Sequence, residues 1–213
     1  MQSSITFTHS TRCQRLLIMM FYSVPVLALA LQAAQAAINV NVGTTYQTMD
    51  GFGFSQAFGR ANDLYNLPST QRTHALDLLF SPTAGAGFTI LRNRIGSGTT
   101  SSDSIEPSSP GSPSGTPKYS WDGSDTHQVW VSQQALTYGV TRFYANAWSA
   151  PGFMKTNGAE TNGGYLCGVS GHSCSSGNWM PAYAQFLIKY IQDYASVGIN
   201  INYLGFLNEP DYT

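Results

Sequence analysis

The chain has 213 residues, with 10 lysines and arginines against 11 aspartates and glutamates and a formal net charge of −1. Charged residues make up only 10% and aromatics 13%, so no basic face is available to neutralise phosphates and the composition does not suit nucleic-acid binding. Polar uncharged residues mixed with tryptophan and tyrosine suit a neutral, hydroxyl-rich ligand instead.

At the N-terminus, Arg12 and Arg15 precede a nearly uncharged stretch from Leu16 to Leu31, followed by QAAQAAINV with small residues at Ala34 and Ala36. This layout predicts a secretory signal peptide over residues 1–36, cleaved after Ala36. A signal anchor is the alternative, although residues 16–31 are short for a span of about 20 residues. The mature chain then has eight basic against eleven acidic residues and is expected outside the cell, off the membrane. Cys13 leaves with the signal, so Cys167 and Cys174 are the remaining pair, in GGYLCGVSGHSCSSGNW. An oxidising destination favours a disulfide across that short loop. His172 lies between them, but two Cys and one His without a fourth ligand make a poor zinc cage, and no metal or cofactor is expected.

Along the mature chain, INVNVGTTYQTMDGFGFSQAF alternates apolar and polar residues around Gly51 and Gly53, which reads as two short strands, the first over 37–48. LPSTQRTHALDLLF carries Pro68 and Ser69 at a helix start and Ala75, Leu76, Leu79 and Phe80 at helical spacing. GFTILRNRIGS is a strand. Residues 97–124 are Gly/Ser/Pro-rich without periodicity, a length that inside a compact domain points to a binding surface or a mobile segment. A helix is predicted from about Asp125 to Tyr138, with Gly139 as its C-terminal cap. VTRFYANAW reads as a strand, 149–177 as a loop, NWMPAYAQFLIKYIQDYASVG as an amphipathic helix ending at Gly198, and INYLGFLN as another strand. This alternation implies right-handed parallel βαβ units in an α/β fold. The unusual clusters SQAF, RNRIGS, NAWSAPGFMKTNG and NEPD each follow a strand's C-terminal end. In a parallel barrel those ends share the face where ligands bind.

Asn208-Glu209-Pro210 is the most informative triplet. A carboxylate at the rim, with a neighbouring amide and a proline that restricts the turn, suits a general acid acting on a glycosidic oxygen. The bland alternative is a helix cap or a surface ion pair. DGFGFSQAF, ILRNRIGS, ANAWSAPGFMKTNG and GFLNEPDY occur in an order and spacing that resembles glycoside hydrolase family 30, and the cysteine-containing segment looks like its fungal, xylan-acting subfamily 7. The resemblance covers residues 38–213. It implies a (β/α)8 barrel with a β side domain, to which the 37–48 strand would belong. It also implies retaining hydrolysis of a plant polysaccharide by a secreted monomer that needs no cofactor.

By position, the resemblance implies Glu209 as acid/base and Asn208 as the partner of the sugar's 2-hydroxyl. It implies Arg92 as the cation that keeps a second carboxylate ionised, Trp148 as a stacking surface for a pyranose ring, and Asp50, otherwise a turn residue just before Gly51, near the saccharide. Strand alternation puts Arg94 on the same face as Arg92, so Arg94 competes for that role. An isolated tryptophan near a strand end would otherwise be core, since aromatics bury large areas. Phe52, Phe54 and Phe58 are expected in packing. Lys155 and Asn157 either line the cleft or belong to a solvated loop.

A retaining glycosidase needs two carboxyl groups about 5–5.5 Å apart. In the family the nucleophile follows strand seven, whereas residues 49–213 account for four strands, about half a barrel. Glu106 and Glu160 sit in long loops and match no nucleophile motif. The expectation is therefore a fragment of a xylan- or glucuronoxylan-degrading enzyme that lacks its nucleophile. β-1,6-Galactan is the alternative substrate, and a non-catalytic saccharide-binding half-barrel is the alternative from another class.

Overall fold

The computed structural model describes residues 41–211. The signal peptide lies outside the described residues, as do positions 37–40 of the first expected strand. The chain divides into two compact units, the second beginning at Met49. In the described part of the first unit, residues 41–48 carry a turn rather than a strand: Asn41 Oδ1 accepts the Gly43 N–H at 3.0 Å, and Asn41 Nδ2 donates to Thr44 Oγ1 at 3.0 Å. That local side-chain bonding offers the backbone a turn in place of a ladder.

The second unit contains β1 (Gly53–Ser55), α1 (Arg60–Tyr65), α2 (Ser69–Phe80), β2 (Ile90–Ile95), α3 (Gln128–Thr137), β3 (Arg142–Ala147), a 3-10 turn (Gly152–Met154), α4 (Met180–Ser196) and β4 (Ile201–Gly205). The strands form one sheet in the order β1-β2-β3-β4, and every neighbouring pair is parallel. This is the α/β alternation and partial barrel expected from the sequence. The six-residue α1 is an addition that periodicity over so short a window does not reveal.

β2 divides its residues between two environments. Leu91, Asn93 and Ile95 are buried, while Ile90, Arg92 and Arg94 are only partly covered. β3 buries Phe143, Ala145 and Ala147 on the corresponding face. α4 follows with Tyr183, Phe186, Leu187, Tyr190 and Tyr194 buried at helical spacing. Removing side chains such as Leu91, Ile95 and Phe143 from water stabilises the fold by about 1.5–3 kcal/mol each. Phe54 of β1 packs on Phe80 and Phe88, with ring centroids 5.7 and 5.6 Å apart. A buried polar chain joins three elements: Gln56 Nε2 donates to Asn93 Oδ1 at 2.7 Å, and Asn93 Nδ2 donates to Ser132 Oγ at 3.1 Å.

The other face is set by register. Ser55, Arg92, Tyr144 and Tyr203 align across the four strands, and Arg94, Asn146 and Gly205 align one layer nearer the C-terminal ends. Aligned residues in a parallel sheet project to the same side, so these two layers line the inner surface on which a site can be built.

α3 begins at Gln128, later than expected, because Asp125, Thr126 and His127 have φ values of 49°, 52° and 69°. Left-handed backbone at three successive non-glycine residues cannot extend a right-handed helix. The turn carries the Asp125 carboxylate inward, where it accepts hydroxyl hydrogens from Tyr190 and Tyr194, both at 2.6 Å, and an amide hydrogen from Gln128 at 2.9 Å. Burial raises the Asp125 pKa to about 6, against the lowering effect of the two tyrosine hydrogen bonds.

Candidate active site

The C-terminal ends of β2, β3 and β4 converge on one side-chain amide. Asn208 Oδ1 accepts from Arg92 Nη2 at 2.6 Å and from Asn146 Nδ2 at 3.2 Å. Asn146 Oδ1 in turn accepts from the Tyr144 hydroxyl at 2.7 Å. One oxygen with two donors cannot be exchanged for the amide nitrogen, so the network fixes which way Asn208 points. Glycine at 205 makes room for it: a Cβ there would overlap the Asn146 side-chain oxygen and the Tyr144 hydroxyl.

Arg92 is held between aromatic faces. Its guanidinium carbon lies 4.9 Å from the Trp148 ring centroid and 5.5 Å from that of Tyr144, within the range of cation–π attraction. Among the described residues it has no carboxylate partner, and its Nε is buried without a hydrogen-bond partner. Arg94, the competing arginine, is committed elsewhere: it forms an ion pair with Asp103 in the long loop after β2. The structure thus brings Arg92, and not Arg94, to Asn208.

Trp148 is half-buried and lies outside the hydrophobic core. Phe58 meets it in a T-shaped contact, with 4.8 Å between centroids and an interplanar angle of 76°. Phe58 corrects the packing expectation, since it is 64% exposed and adopts a left-handed backbone with φ 59°. Phe52 is exposed too, and of the three phenylalanines only Phe54 packs as expected. Such a conformation at a bulky residue is costly and persists where its surroundings impose it.

Glu209 follows Asn208 at the rim, exposed, with φ 44° immediately before Pro210. A residue preceding proline ordinarily adopts extended backbone, so this turn holds Glu209 in an uncommon conformation. Asp50 is not drawn into the Arg92–Asn208 cluster. It precedes β1, and its carboxylate accepts from the Tyr203 hydroxyl at 3.1 Å.

Lys155 lies beside the rim, where its Nζ donates to Ser149 Oγ at 2.9 Å and to the Glu160 carbonyl at 3.2 Å. Burial lowers its pKa, partly offset by the Glu160 charge. Glu160 Oε2 accepts from Ser97 Oγ at 2.8 Å, so this loop glutamate ties the ends of β2 and β3 together. Asn157 is a loop residue whose Nδ2 donates to the carbonyls of Thr161, Asn162 and Gly163. Glu106 is buried in the long loop, and desolvation raises its pKa, opposed by the Lys118 backbone N–H. Cys167 and Cys174 form the expected disulfide. Tyr144, Asn146 and Gly205 carry parts of the site that the sequence reading did not single out. Their signal lies in the strand alternation that already places Arg92.

The family model described as glycosyl hydrolase family 59 matches residues 49–213. The catalytic domain of GH30 xylanase C from Talaromyces cellulolyticus is 55% identical and superposes with a TM-score of 0.77, covering 82% of this chain and 40% of that one. The resemblance to family 30 is borne out by that identity, the matching model being that of a related family. Among curated proteins, an endo-1,6-beta-D-glucanase of Neurospora crassa is 27% identical over 89% of this chain and 40% of its own length. Endo-1,6-beta-D-glucanase neg1 of Aspergillus fumigatus is 28% identical over 77% and 35%. The chain therefore spans well under half the length of the curated relatives it matches.

Proposed function

This chain belongs to glycosyl hydrolase family 59, a family related to the family 30 enzyme it resembles, and from that premise we propose that it is part of a secreted, retaining endo-β-glycanase acting on xylan or glucuronoxylan. Glu209 is the acid/base in this reading. Its carboxylic acid gives a proton to the glycosidic oxygen as a second carboxylate attacks the anomeric carbon and the bond to the leaving group breaks. The resulting Glu209 carboxylate then takes a proton from the water that hydrolyses the glycosyl–enzyme ester. Asn208, oriented by Arg92 and Asn146, hydrogen-bonds the sugar's 2-hydroxyl, and Trp148 stacks on the pyranose ring. Asp50 acts indirectly, through Tyr203.

One observation carries the reading. Arg92 is a partly buried cation in contact with Asn208, yet no carboxylate among the described residues pairs with it. Buried guanidinium N–H groups require acceptors, and the second carboxylate of a retaining mechanism is such an acceptor. Arg92 would keep it ionised and oriented. That nucleophile is assigned to chain beyond the four described strands, alongside the β side domain.

Glu209→Gln in the full-length protein tests the assignment. Xylan hydrolysis is expected to fall by about 10²–10⁴-fold while binding persists, and unchanged turnover removes Glu209 from the role. The two endo-1,6-beta-D-glucanases among the relatives favour a second reading, a β-1,6-linked glycan, with glucan rather than galactan the first to assay. Initial rates on xylan, β-1,6-glucan and β-1,6-galactan separate the substrates. Saturable binding without hydrolysis of any of them supports a saccharide-binding module instead.

A further inference from the structure

We infer that Tyr165, backed by His172, is a distal sugar-stacking platform on the β3–α4 loop, binding one pyranose ring of a glycan chain that extends away from Trp148. The inference rests on the glycanase reading above and adds a residue that governs substrate length.

Tyr165 is 56% exposed, and its ring lies on the His172 imidazole at 3.5 Å with an interplanar angle of 8°. Stacking on one face leaves the other face of a flat aromatic ring open. An aromatic face of that kind takes the C–H surface of a pyranose, and a neutral sugar requires no charge to match it.

The loop fixes the backbone that carries this ring, and His172 stacks on the ring itself. Tyr165 accepts the Thr156 backbone N–H at 2.8 Å and gives its own N–H to Thr156 Oγ1 at 3.0 Å. Lys155 and Leu166 form an antiparallel bridge. The Cys167 N–H bonds the Met154 carbonyl at 2.9 Å. His172 is positioned from the other side, within the Cys167–Cys174 disulfide loop, where the Gly168 N–H bonds the His172 carbonyl at 2.8 Å. A preorganised ring avoids the cost of ordering a side chain when ligand binds.

The same loop is tied to the proposed catalytic rim. Lys155, adjacent to the Thr156 that pairs with Tyr165, bonds Ser149, and Ser149 follows Trp148 directly. Two aromatic surfaces, Trp148 and Tyr165, thus stand on one cross-braced loop after β3. That arrangement suits a chain of sugars better than a single one.

The test uses full-length protein and linear oligosaccharides of increasing length from the preferred substrate. Tyr165→Ala is expected to raise KM about five- to tenfold for the longest oligosaccharides, with kcat and the kinetics of the shortest cleaved substrate unchanged. Tyr165→Phe, which keeps the ring, is expected to restore the wild-type length dependence. His172→Ala is expected to give a smaller rise. A wild-type length profile for Tyr165→Ala, or equal losses in the Ala and Phe variants, overturns the inference. In the unmutated protein, His172 imidazole proton signals are expected to shift on titration with the longer oligosaccharides, and silent signals count against it. Absence of hydrolysis of xylan and β-1,6-glucans by the unmutated full-length protein instead marks failure of the glycanase reading itself.

Discussion

Arg92 and Asn208 are 116 positions apart in sequence and join across the intervening strand β3 through a 2.6 Å hydrogen bond. Arg92 thereby fixes the residue that precedes Glu209. Arg92→Lys removes the planar fork while keeping the charge, and Asn208→Ala leaves both Arg92 and Asn146 without their shared acceptor. Each single change is expected to reduce kcat in the full-length enzyme by about 10–100-fold, the range for a hydrogen bond to a charged group. The double variant should lose much less than the product of the two effects, since both act on one contact. Fully multiplicative losses in a double-mutant cycle contradict the coupling.

Gly205 provides the space in which Asn146 and Tyr144 meet. Gly205→Ala is expected to displace the Asn146 side chain, to destabilise the fold by about 1–3 kcal/mol through overpacking, and to lower activity as well. A thermal melt and a rate assay check the two effects separately. Wild-type activity in this variant shows that the Asn146–Asn208 contact is dispensable.

Asp125 gives stability a defined dependence on acidity. Its folded pKa, about 6, lies above the ordinary value of 3.8, so between those pH values the folded state retains a proton that the unfolded state has released. Stability from this group is therefore greatest below about pH 4 and declines as pH rises to about 6, by at most about 3 kcal/mol. Asp125→Asn keeps an acceptor oxygen for Tyr190 or Tyr194 but cannot titrate. Urea denaturation at pH 4.5 and 6.5 should show wild type losing stability relative to the variant as pH rises, and a pH-independent difference refutes the assignment.

The Cys167–Cys174 bridge closes a short loop, with a sequence separation of 7. Loop-closure entropy of that size corresponds to about 2 kcal/mol. Cys174→Ser is expected to lower the melting temperature by an amount that reductant reproduces in wild type. Proteolysis should then begin within 164–177, where the bridge restrains the backbone. Unchanged protease sensitivity would assign that restraint to the hydrogen bonds alone.

Local pattern carried most of the architecture. Alternating strands, the α2 and α4 helical spacings and the left-handed glycines at 139 and 198 are effects of near neighbours along the chain, and each appears in the fold. So does the placement of Asn208 and Glu209 after β4, although the strand ends at Gly205, before the apolar run does, and leaves Phe206 and Leu207 exposed. Competition between residues that are locally alike required the tertiary structure. Arg92 and Arg94 share a strand face, and Asp103 in the loop after β2 and Asn208 after β4 decide which of them reaches the site. Phe54 and Phe58 are both apolar residues near β1, yet one packs in the core and the other stands exposed against Trp148. Asp125 delays the start of α3 to Gln128, its carboxylate turned inward to two tyrosines on α4. Sequence by itself determined most of the elements, α1 and the turn at 41–48 excepted, and the family chemistry they can carry. The assignment of each polar or aromatic group to core or cleft depended on partners in other elements and loops, whose positions only the tertiary fold establishes.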